Sequence, residues 1–312
     1  GDTSLKGFDG IGDNFLDDHL RANIISFFDW CLLEKKNFDN VRIPSSGQYG
    51  GSKHKLELTN DPRYSVGQVW QSSRGNWVWQ SGLPTPAIQC SGVNVNGTFY
   101  PLNSSGTYAH YVDHPNGRII FRSPISKTAT VTAEYSPKYY NVIDANQFSF
   151  FKQIQDGSFR LDDLNFSNPS SGNWAVTPEN RLQLPAIGVE VTSAMSFKGM
   201  QLGGGQIVDT KIIFHVLAED AKKAQKMAAI IALQNNSTLR TFNVNSISQN
   251  NLSPLNYQGS VASGALTHLQ MVNRFPHTKI YLKDMNPPEG QWLNNVYYVP
   301  VTCKAETYIH NI

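Results

Sequence analysis

The residue types that most often perform chemistry are sparse in this chain. Two pairs of adjacent acids, Asp17-Asp18 and Asp162-Asp163, could bind a metal ion or act as acid and base. Neighbouring residues on a helix point in different directions, so both pairs are predicted to be solvated surface. His215 lies within an apolar run, which favours a hydrogen-bonded core histidine over a catalytic base.

Other signals of a reactive centre also have simpler interpretations. The run Gly203-Gly204-Gly205 lacks the Lys-Ser/Thr of a phosphate-binding loop and lies between two predicted strands, which indicates a hairpin tip. Three cysteines lack metal-ligand spacing and are predicted to be buried thiols in a reduced compartment: Cys31, Cys90 and Cys303. No Gly-x-Ser-x-Gly motif occurs. The sequence therefore predicts no catalytic residue, no cofactor and no metal site, in a protein that is not an enzyme.

Two groups of side chains remain as candidates for binding. Three tryptophans near one predicted hairpin are the ligand candidates: Trp70, Trp77 and Trp79. Indole faces on a hairpin can stack on sugar rings or bases, and the alternative is that the rings fill the core of a small sheet. Three lysines on one predicted helix are the candidate ring or channel contacts: Lys222, Lys223 and Lys226. Such lysines usually form a solvated face and would matter for DNA only if they were repeated around a ring of subunits.

The central stretch of the chain, residues 181–247, contains His215, the glycine run and the three lysines. Apolar residues alternate at Ile187, Val189 and Val191, the period of a half-buried strand. After a turn-rich link over residues 197–205, a second strand, QIVDTKIIFHVLAED, is apolar on both faces at its centre. A layer is therefore expected to cover each side of this second strand.

A helix and further strands follow. Alanines recur at helical spacing after Asp220, which is suited to cap the helix, and Asn235-Asn236 are suited to end it. Residues 239–247, LRTFNVNSI, are predicted to be a third strand. Two late strands are predicted in RFPHTKIYLKDM and VYYVPVTCKAETYI, and the last is expected to close the sheet that begins at Arg181.

The first half of the chain combines helix and β-structure. Residues 1–12 are predicted to be a flexible arm, and Asp13 is predicted to cap a helix over residues 14–36. Residues 39–65 are predicted to be a long loop with one short strand in HKLEL. Residues 144–157 carry the start and stop signals of a second helix.

Turn signals recur at short intervals between positions 64 and 140, as in a sandwich or barrel. Three hairpins are predicted in this part of the chain, with turns at Arg74-Gly75-Asn76, Asn96-Gly97 and Pro115-Asn116-Gly117. A further strand is predicted in KTATVTAEYS, where apolar residues alternate with polar ones.

Length and composition set the broad class of protein. The chain has 312 residues, of which 40% are hydrophobic and 16% charged, and a net charge of +2. The length allows two domains, and the small net charge gives no basis for inferring nucleic-acid or membrane binding. The N-terminus lacks signal-peptide features and no run of about twenty apolar residues occurs, so neither secretion by a signal sequence nor membrane spanning is expected.

The order of these pieces resembles a family of virion proteins. The leading helix, LPAIGVEV, the glycine-rich turn, DTKIIFHVLAED with its Ala/Lys helix, and the terminal strand are similar to the tail-terminator proteins of tailed bacteriophages. VWQSSRGNWVWQSG and YVDHPNGRIIFRSPISKTATVTAEYS resemble virion structural proteins found beside the neck genes of marine and cyanobacterial phages. The matching pieces cover the greater part of the chain and are an arrangement of elements without a catalytic fingerprint.

The resemblance implies an α+β fold. A mixed or antiparallel sheet with flanking helices would form a tail-terminator-like core from residues 1–38 and 141–312. Residues 39–140 would be an inserted all-β module. Because of this insertion the chain is longer than the family it resembles, so another ring position in the neck stays an alternative.

The resemblance also implies a role. A tail terminator forms a ring, commonly a homohexamer, that caps the tail tube and joins it to the head-side connector in the phage neck. DNA passes through the lumen without sequence-specific binding, and no membrane is involved. The implied location is the virion, assembled in the host cytoplasm. Two alternatives stay open: another neck or collar ring, and a decoration module that binds a glycan through the three tryptophans.

Overall fold

The computed structural model describes residues 15–45, 51–145, 166–167, 175–176, 183–200 and 205–309. These residues form a mixed α/β fold that is mostly β-structure. Four α-helices lie within them: α1 Leu20–Glu34, α2 Ala221–Ala232, α3 Val244–Gln249 and α4 His268–Arg274. The strands of the first half are β1 Lys55–Leu58, β2 Val69–Gln71, β3 Gly92–Val95, β4 Thr98–Pro101, β5 His110–Asp113, β6 Arg118–Phe121, β7 Val131–Thr132 and β8 Asn141–Asp144. Those of the second half are β9 Phe166–Ser167, β10 Ala175–Val176, β11 Ala186–Gly199, β12 Gln206–Ala218, β13 Thr238–Leu239, β14 Ile280–Asn286, β15 Gln291–Leu293 and β16 Val296–Ile309.

The main sheet has seven strands in the order β13, β14, β16, β12, β11, β8, and β15 pairs with β16. The β8–β11 pair is parallel and the other pairs are antiparallel, so the sheet is mixed. Strand β12 pairs along its whole length with β16, from Gln206↔Ile309 to Ala218↔Tyr297. Its other side pairs with β11. Strand β12 is therefore the centre of this sheet.

The period of two in these strands gives the main sheet an apolar face. Its side chains form the largest core: Ile187, Val189, Ile212, Phe214, Val216, Val299, Val301 and Cys303. Helices α1 and α2 cover this face. Helix α1 contributes Leu20, Ile24 and Phe28, which are one turn apart and lie on one side of the helix. Helix α2 contributes Ala224, Met227, Ala228 and Ile231.

Local signals set both ends of α2. The carboxylate of Asp220 accepts a hydrogen bond from Lys223 N at 3.1 Å and so caps the helix. After the last turn, Asn236 has a φ of 64°, in the left-handed region where helices commonly end. The predicted helix and its N-terminal cap are confirmed, but the helix ends at Ala232, three residues before the predicted stop at Asn235.

A second seven-stranded sheet is built from residues 55–132 in the order β4, β3, β7, β1, β2, β6, β5, with antiparallel pairs. Two of its predicted hairpins are confirmed: Asn96-Gly97 joins β3 to β4, and Pro115-Asn116-Gly117 lies between β5 and β6. Asn96 and Gly97 have φ angles of 50° and 87°, as a type I′ turn requires. The short strand predicted in HKLEL is β1.

The two sheets are joined by polar contacts. Lys138 Nζ lies 2.6 Å from Asp29 Oδ2 of α1, and both side chains are largely buried. The Arg74 guanidinium donates to the carbonyl oxygen of Leu184 at 3.2 Å, just before β11. These contacts attach the second sheet to α1 and to the main sheet.

Two predicted elements are wrong. The hairpin across Arg74-Gly75-Asn76 does not form, because β2 pairs with β1 and β6 while Trp77 forms a bridge with Pro137. The strand predicted over residues 239–247 is strand only at Leu239, with one bridge at Phe242, and gives way to α3 from Val244 because the side chain of Asn243 caps a helix there.

The main sheet also differs from expectation at its ends. Asp144 is the last residue of strand β8, and Ala145 directly after it is in a 3-10 helical conformation. Residues 146–157 of the predicted helix lie outside the described residues, so that helix stays a prediction. Strand β16 runs between β12 and β14 and does not close the sheet at an edge. Strand β11 continues to Gly199, into the predicted link.

The other predictions that fall outside the described residues are the arm at 1–12, Asp13, Asp162-Asp163 and Gly203-Gly204. The division into parts 1–38, 39–140 and 141–312 stays a prediction.

Helix α4 is held against α1 by a buried histidine. Nδ1 of His268 lies 2.9 Å from Ser26 Oγ, and its ring packs edge-on against Phe27. Burial lowers the pKa of His268 to about 4. In the unfolded chain a histidine has a pKa of about 6.5, so between these values the unfolded state binds a proton that the folded state does not. The contribution of His268 to the free energy of unfolding is therefore complete above about pH 6.5 and is lost as the pH falls toward 4.

We predict that His268→Gln reduces the slope of unfolding free energy against pH by up to about one proton in this window. Urea denaturation at a series of pH values measures this slope for the variant and for the unmodified chain. Leu269→Gln, at an exposed position of the same helix that carries no titrating group, is the control and should leave the slope unchanged. An unaltered slope in the His268 variant would contradict the prediction.

Candidate functional site

The tryptophans singled out in the sequence lie in the second sheet and mostly in its core. Trp70 and Trp77 are buried, the latter only 1% exposed, and Trp79 is partly buried. The ring of Trp77 stacks on Tyr135 with centroids 4.1 Å apart, and its Nε1 donates to Arg74 O at 3.0 Å. The faces of Trp70 and Trp77 are not accessible to a sugar or a base. The core alternative therefore holds for these two rings, and whether a glycan binds at the partly exposed Trp79 stays a prediction.

The lysines Lys222, Lys223 and Lys226 are exposed on α2, away from the main sheet. Lys223 Nζ lies 5.6 Å from the centre of the Tyr139 ring, a cation–π distance. Whether these lysines contact a neighbouring subunit stays a prediction.

The remaining chemical candidates are structural. His215 is a buried, hydrogen-bonded core residue, as predicted. Its Nδ1 lies 2.7 Å from the Tyr298 hydroxyl and its Nε2 lies 2.7 Å from Glu190 Oε2. Burial, followed by the charge of Glu190, raises the pKa of Tyr298 to about 12. The three side chains form one polar chain across β11, β12 and β16.

The acidic pair Asp17-Asp18 lies at the surface, and the three cysteines are free thiols that are buried or partly buried. Asp17 and Asp18 are partly exposed and both pair with Arg21, with Asp18 Oδ1 at 3.5 Å. The three cysteines are free thiols; Cys90 and Cys303 are buried and Cys31 is partly buried. Burial raises the pKa of Cys31 to about 11 and those of Cys90 and Cys303 to about 12, which disfavours the reactive thiolate.

The polar face of the main sheet carries a charged array that the sequence did not reveal. Lys211 on β12 lies directly opposite Lys304 on β16, and Lys304 lies directly opposite Lys283 on β14. The three lysines therefore form one row across three neighbouring strands. Asp209 and Glu306 form the adjacent row, also directly opposite each other. The alternation of charged residues along each strand is visible in sequence, but their alignment depends on the register.

Ion pairs neutralise part of the lysine row. Lys283 Nζ contacts Asp209 Oδ1 at 2.8 Å and also pairs with Glu306. Burial alone would lower the pKa of Lys283, but the hydrogen bonds to these two carboxylates raise it overall. Lys304 Nζ lies 2.9 Å from Asp284 Oδ2, and this hydrogen bond lowers the pKa of the Asp284 carboxyl.

An open groove of about 380 Å³ lies on this polar face. Residues from four strands line it, among them Met195, Asp209, Lys211, Asp284, Thr302 and Lys304. Asp284 has a φ of 55° in an irregularity of β14 between Lys283 and Asn286. A backbone strained in this way places a carboxylate at the rim of the groove. The groove thus presents mixed charge on an open surface.

Comparisons with protein-family models, with curated proteins and with solved structures found no match to this chain. Among the described residues, no group of three or more His, Cys, Asp or Glu side chains is arranged to hold a metal ion. In the same part of the chain, no helix is both long enough and apolar enough to cross a bilayer.

We predict that His215→Leu lowers the free energy of unfolding by about 1–3 kcal/mol, because it removes the hydrogen-bond partner of the buried Tyr298 hydroxyl. Urea denaturation monitored by circular dichroism measures the change. Lys211→Ala, an exposed substitution on the same strand, should stay within about 0.5 kcal/mol of the unmodified chain. Equal stability of the two variants would show that the buried polar chain is not a stabilising feature.

Proposed function

We propose that this chain is a non-enzymatic structural protein of a tailed-phage virion. Its role would be that of a tail-terminator or tail-completion ring in the neck, which joins the tail tube to the head-side connector. The subunits would form a ring, as a homohexamer, around DNA that passes without sequence-specific contact. The proposal rests on one observation. Beyond Val189, the edge of β11 that faces away from β12 has no paired strand among the described residues.

The outer half of β11 has one edge without a paired strand among the residues that the structure describes. Strand β8 pairs with β11 only from Ala186 to Val189. Beyond Val189, among the described residues, β11 is paired on the β12 side alone as far as Gly199. A long strand edge offers unpaired N–H and C=O groups to another chain. It is therefore a surface suited to assembly.

An exposed aromatic ring lies on the same part of the sheet. Phe197 is 57% exposed and lies opposite Val208 of β12. Tyr308 of β16, also exposed, lies at the same end. Exposed apolar side chains beside an open edge support burial of this region against a partner.

The open edge is interrupted by an irregularity between Val191 and Met195. Bulges of this kind bend a strand and prevent indiscriminate edge pairing. A bulged edge with one exposed aromatic ring fits a partner of defined geometry, as a closed ring of identical subunits requires. The same observation fits another neck or collar ring, which stays the alternative.

The proposal predicts rings in a preparation of the full chain. Electron microscopy should show particles with a central hole, and light scattering should give a mass of six times the 34.7 kDa of one chain. A stable particle with the mass of one chain at micromolar concentration would contradict the ring.

A second prediction concerns the exposed aromatic side chain of Phe197. Burying a phenylalanine at an interface contributes about 1.5–3 kcal/mol. Phe197→Ser should therefore weaken assembly by at least about tenfold, measured as the shift in the concentration at which rings dissociate. Leu233→Ser is the matched control, since Leu233 is 78% exposed at the end of α2, and it should leave assembly unchanged. If both variants assemble like the unmodified chain, this end of the sheet is not the contact.

A further inference from the structure

A second open groove lies on the polar face of the main sheet, across β13, β14 and β16. Its volume is about 440 Å³, within the range of about 300–1,000 Å³ that small-molecule sites in proteins occupy. Two tyrosines and four polar side chains line it: Thr238, Thr278, Lys279, Tyr281, Glu306 and Tyr308. This tyrosine groove therefore combines aromatic faces with hydrogen-bonding groups.

The register of three strands brings these side chains together. Thr238 of β13 lies directly opposite Tyr281 of β14, and Tyr281 lies directly opposite Glu306 of β16. Tyr308 comes two residues after Glu306 and so lies on the same face of the sheet. Its Cα is diagonally across from that of Tyr281, roughly 7–8 Å away in sheet geometry. The two tyrosines are therefore neighbours on one side of the sheet.

Hydrogen bonds hold both tyrosine rings in place. The Tyr308 hydroxyl donates to Glu306 Oε1 at 2.7 Å, and the Tyr281 hydroxyl donates to Asn236 Oδ1 at 3.4 Å. Asn236 is itself anchored to β14, because its N–H donates to Leu282 O at 2.9 Å. Tyr308 still leaves 37% of its surface exposed, and Tyr281 is partly exposed. Rings that are already held lose less conformational entropy when a ligand stacks on them.

The charges in the tyrosine groove are of opposite sign. Hydrogen bonds from Lys283 and Tyr308 lower the pKa of Glu306, so its carboxylate is ionised at neutral pH. Lys279 is exposed and contributes an ammonium group to the same groove. An acid and an amine at one site favour neither an anion nor a cation. Both groups can still hydrogen-bond to the hydroxyl groups of a neutral ligand.

We propose that the tyrosine groove binds a neutral oligosaccharide. The apolar face of a sugar ring stacks on Tyr308 and Tyr281, and its hydroxyl groups donate to Glu306 and accept from Lys279. The hydroxyl groups of a sugar point in several directions around the ring, which suits donors and acceptors spread over three strands. A nucleobase forms hydrogen bonds only along its edges, so it would use fewer of these groups.

The tyrosine groove and the proposed assembly contact lie on different faces of the sheet. Phe197 lies opposite Val208, and Val208 lies opposite Thr307, which alternates with Glu306 and Tyr308 along β16. Phe197 is therefore on the face away from the groove. The inference goes beyond the proposed function and does not require the ring.

Saturation-transfer difference NMR on the full chain tests the groove with three probes: maltohexaose, cellohexaose and chitohexaose. Ring protons of at least one probe should receive saturation from the protein, and isothermal titration calorimetry then gives its Kd. The affinity should change less than about twofold between about 20 and 200 mM salt, since no net charge is neutralised on binding.

Variants place the binding in the groove. Tyr308→Ala should weaken binding at least about threefold, because the stacking ring is lost. Lys279→Ala, which leaves both rings in place, should weaken it about twofold or more through a lost hydrogen bond. Tyr257→Ala is the matched control, since Tyr257 is 96% exposed on the loop after α3, and it should bind like the unmodified chain.

Three results would overturn the inference. The first is absence of saturation transfer to all three probes. The second is an equal effect of Tyr308→Ala and Tyr257→Ala. The third is tighter binding of adenosine or of oligogalacturonate than of any neutral probe, which would assign the groove to a nucleoside or to an anion.

Electron microscopy of the same samples separates this inference from the proposed function. Sugar binding by a protein that forms no rings would keep the groove and remove the neck role. Rings that bind none of the three probes would leave the ring in place and remove the sugar site.

Discussion

The structure depends on the uninterrupted pairing of β12 with β16. Side chains alternate between the two faces of a sheet, so the register from Gln206↔Ile309 to Ala218↔Tyr297 decides the environment of every residue in both strands. In this register Ile212, Phe214 and Val301 enter the core. A slip of one residue would place lysines in the core and the apolar side chains in solvent, at a cost that no surface interaction could offset. The apolar core therefore fixes the register, and the register in turn aligns the charged rows on the other face.

The same pairing explains how the rest of the chain is organised. Helices α1 and α2 pack where the register exposes apolar side chains, and the buried pair of Lys138 with Asp29 then attaches the second sheet to α1. A loop after α3 adds a further attachment, since His114 N donates to Gly259 O at 3.0 Å. Breaking a buried ion pair by removing one partner is costly, so such contacts define the arrangement even where they add little net stability. The outer half of β11 is the part of the main sheet that these attachments leave open among the described residues.

Elements with local signals were predictable from sequence, and features that depend on distant pairing were not. Helix α2 could be predicted with its start because Asp220 caps it within the first turn, and its end at Ala232 lies within one turn of the predicted Asn235. The turn at Asn96-Gly97 is equally local. The return partner of Trp77 is Pro137, sixty residues along the chain, so no short-range pattern distinguishes it from a hairpin partner. The lysine row is invisible for the same reason, because it joins three strands whose register is set by the core. Asn243, by contrast, was a recognisable cap for α3, and the strand prediction there overlooked it.

We propose that the end of the main sheet around Phe197, which is exposed in the single chain, becomes covered when copies of the chain assemble. Hydrogen–deuterium exchange compares the assembled protein with its dissociated protomers at the level of single segments. We predict that amides of residues 195–199 exchange slowly only in the assembled form, while those of residues 212–216 of β12, which are paired on both sides, exchange alike in both. Equal exchange of residues 195–199 in the two forms would contradict it.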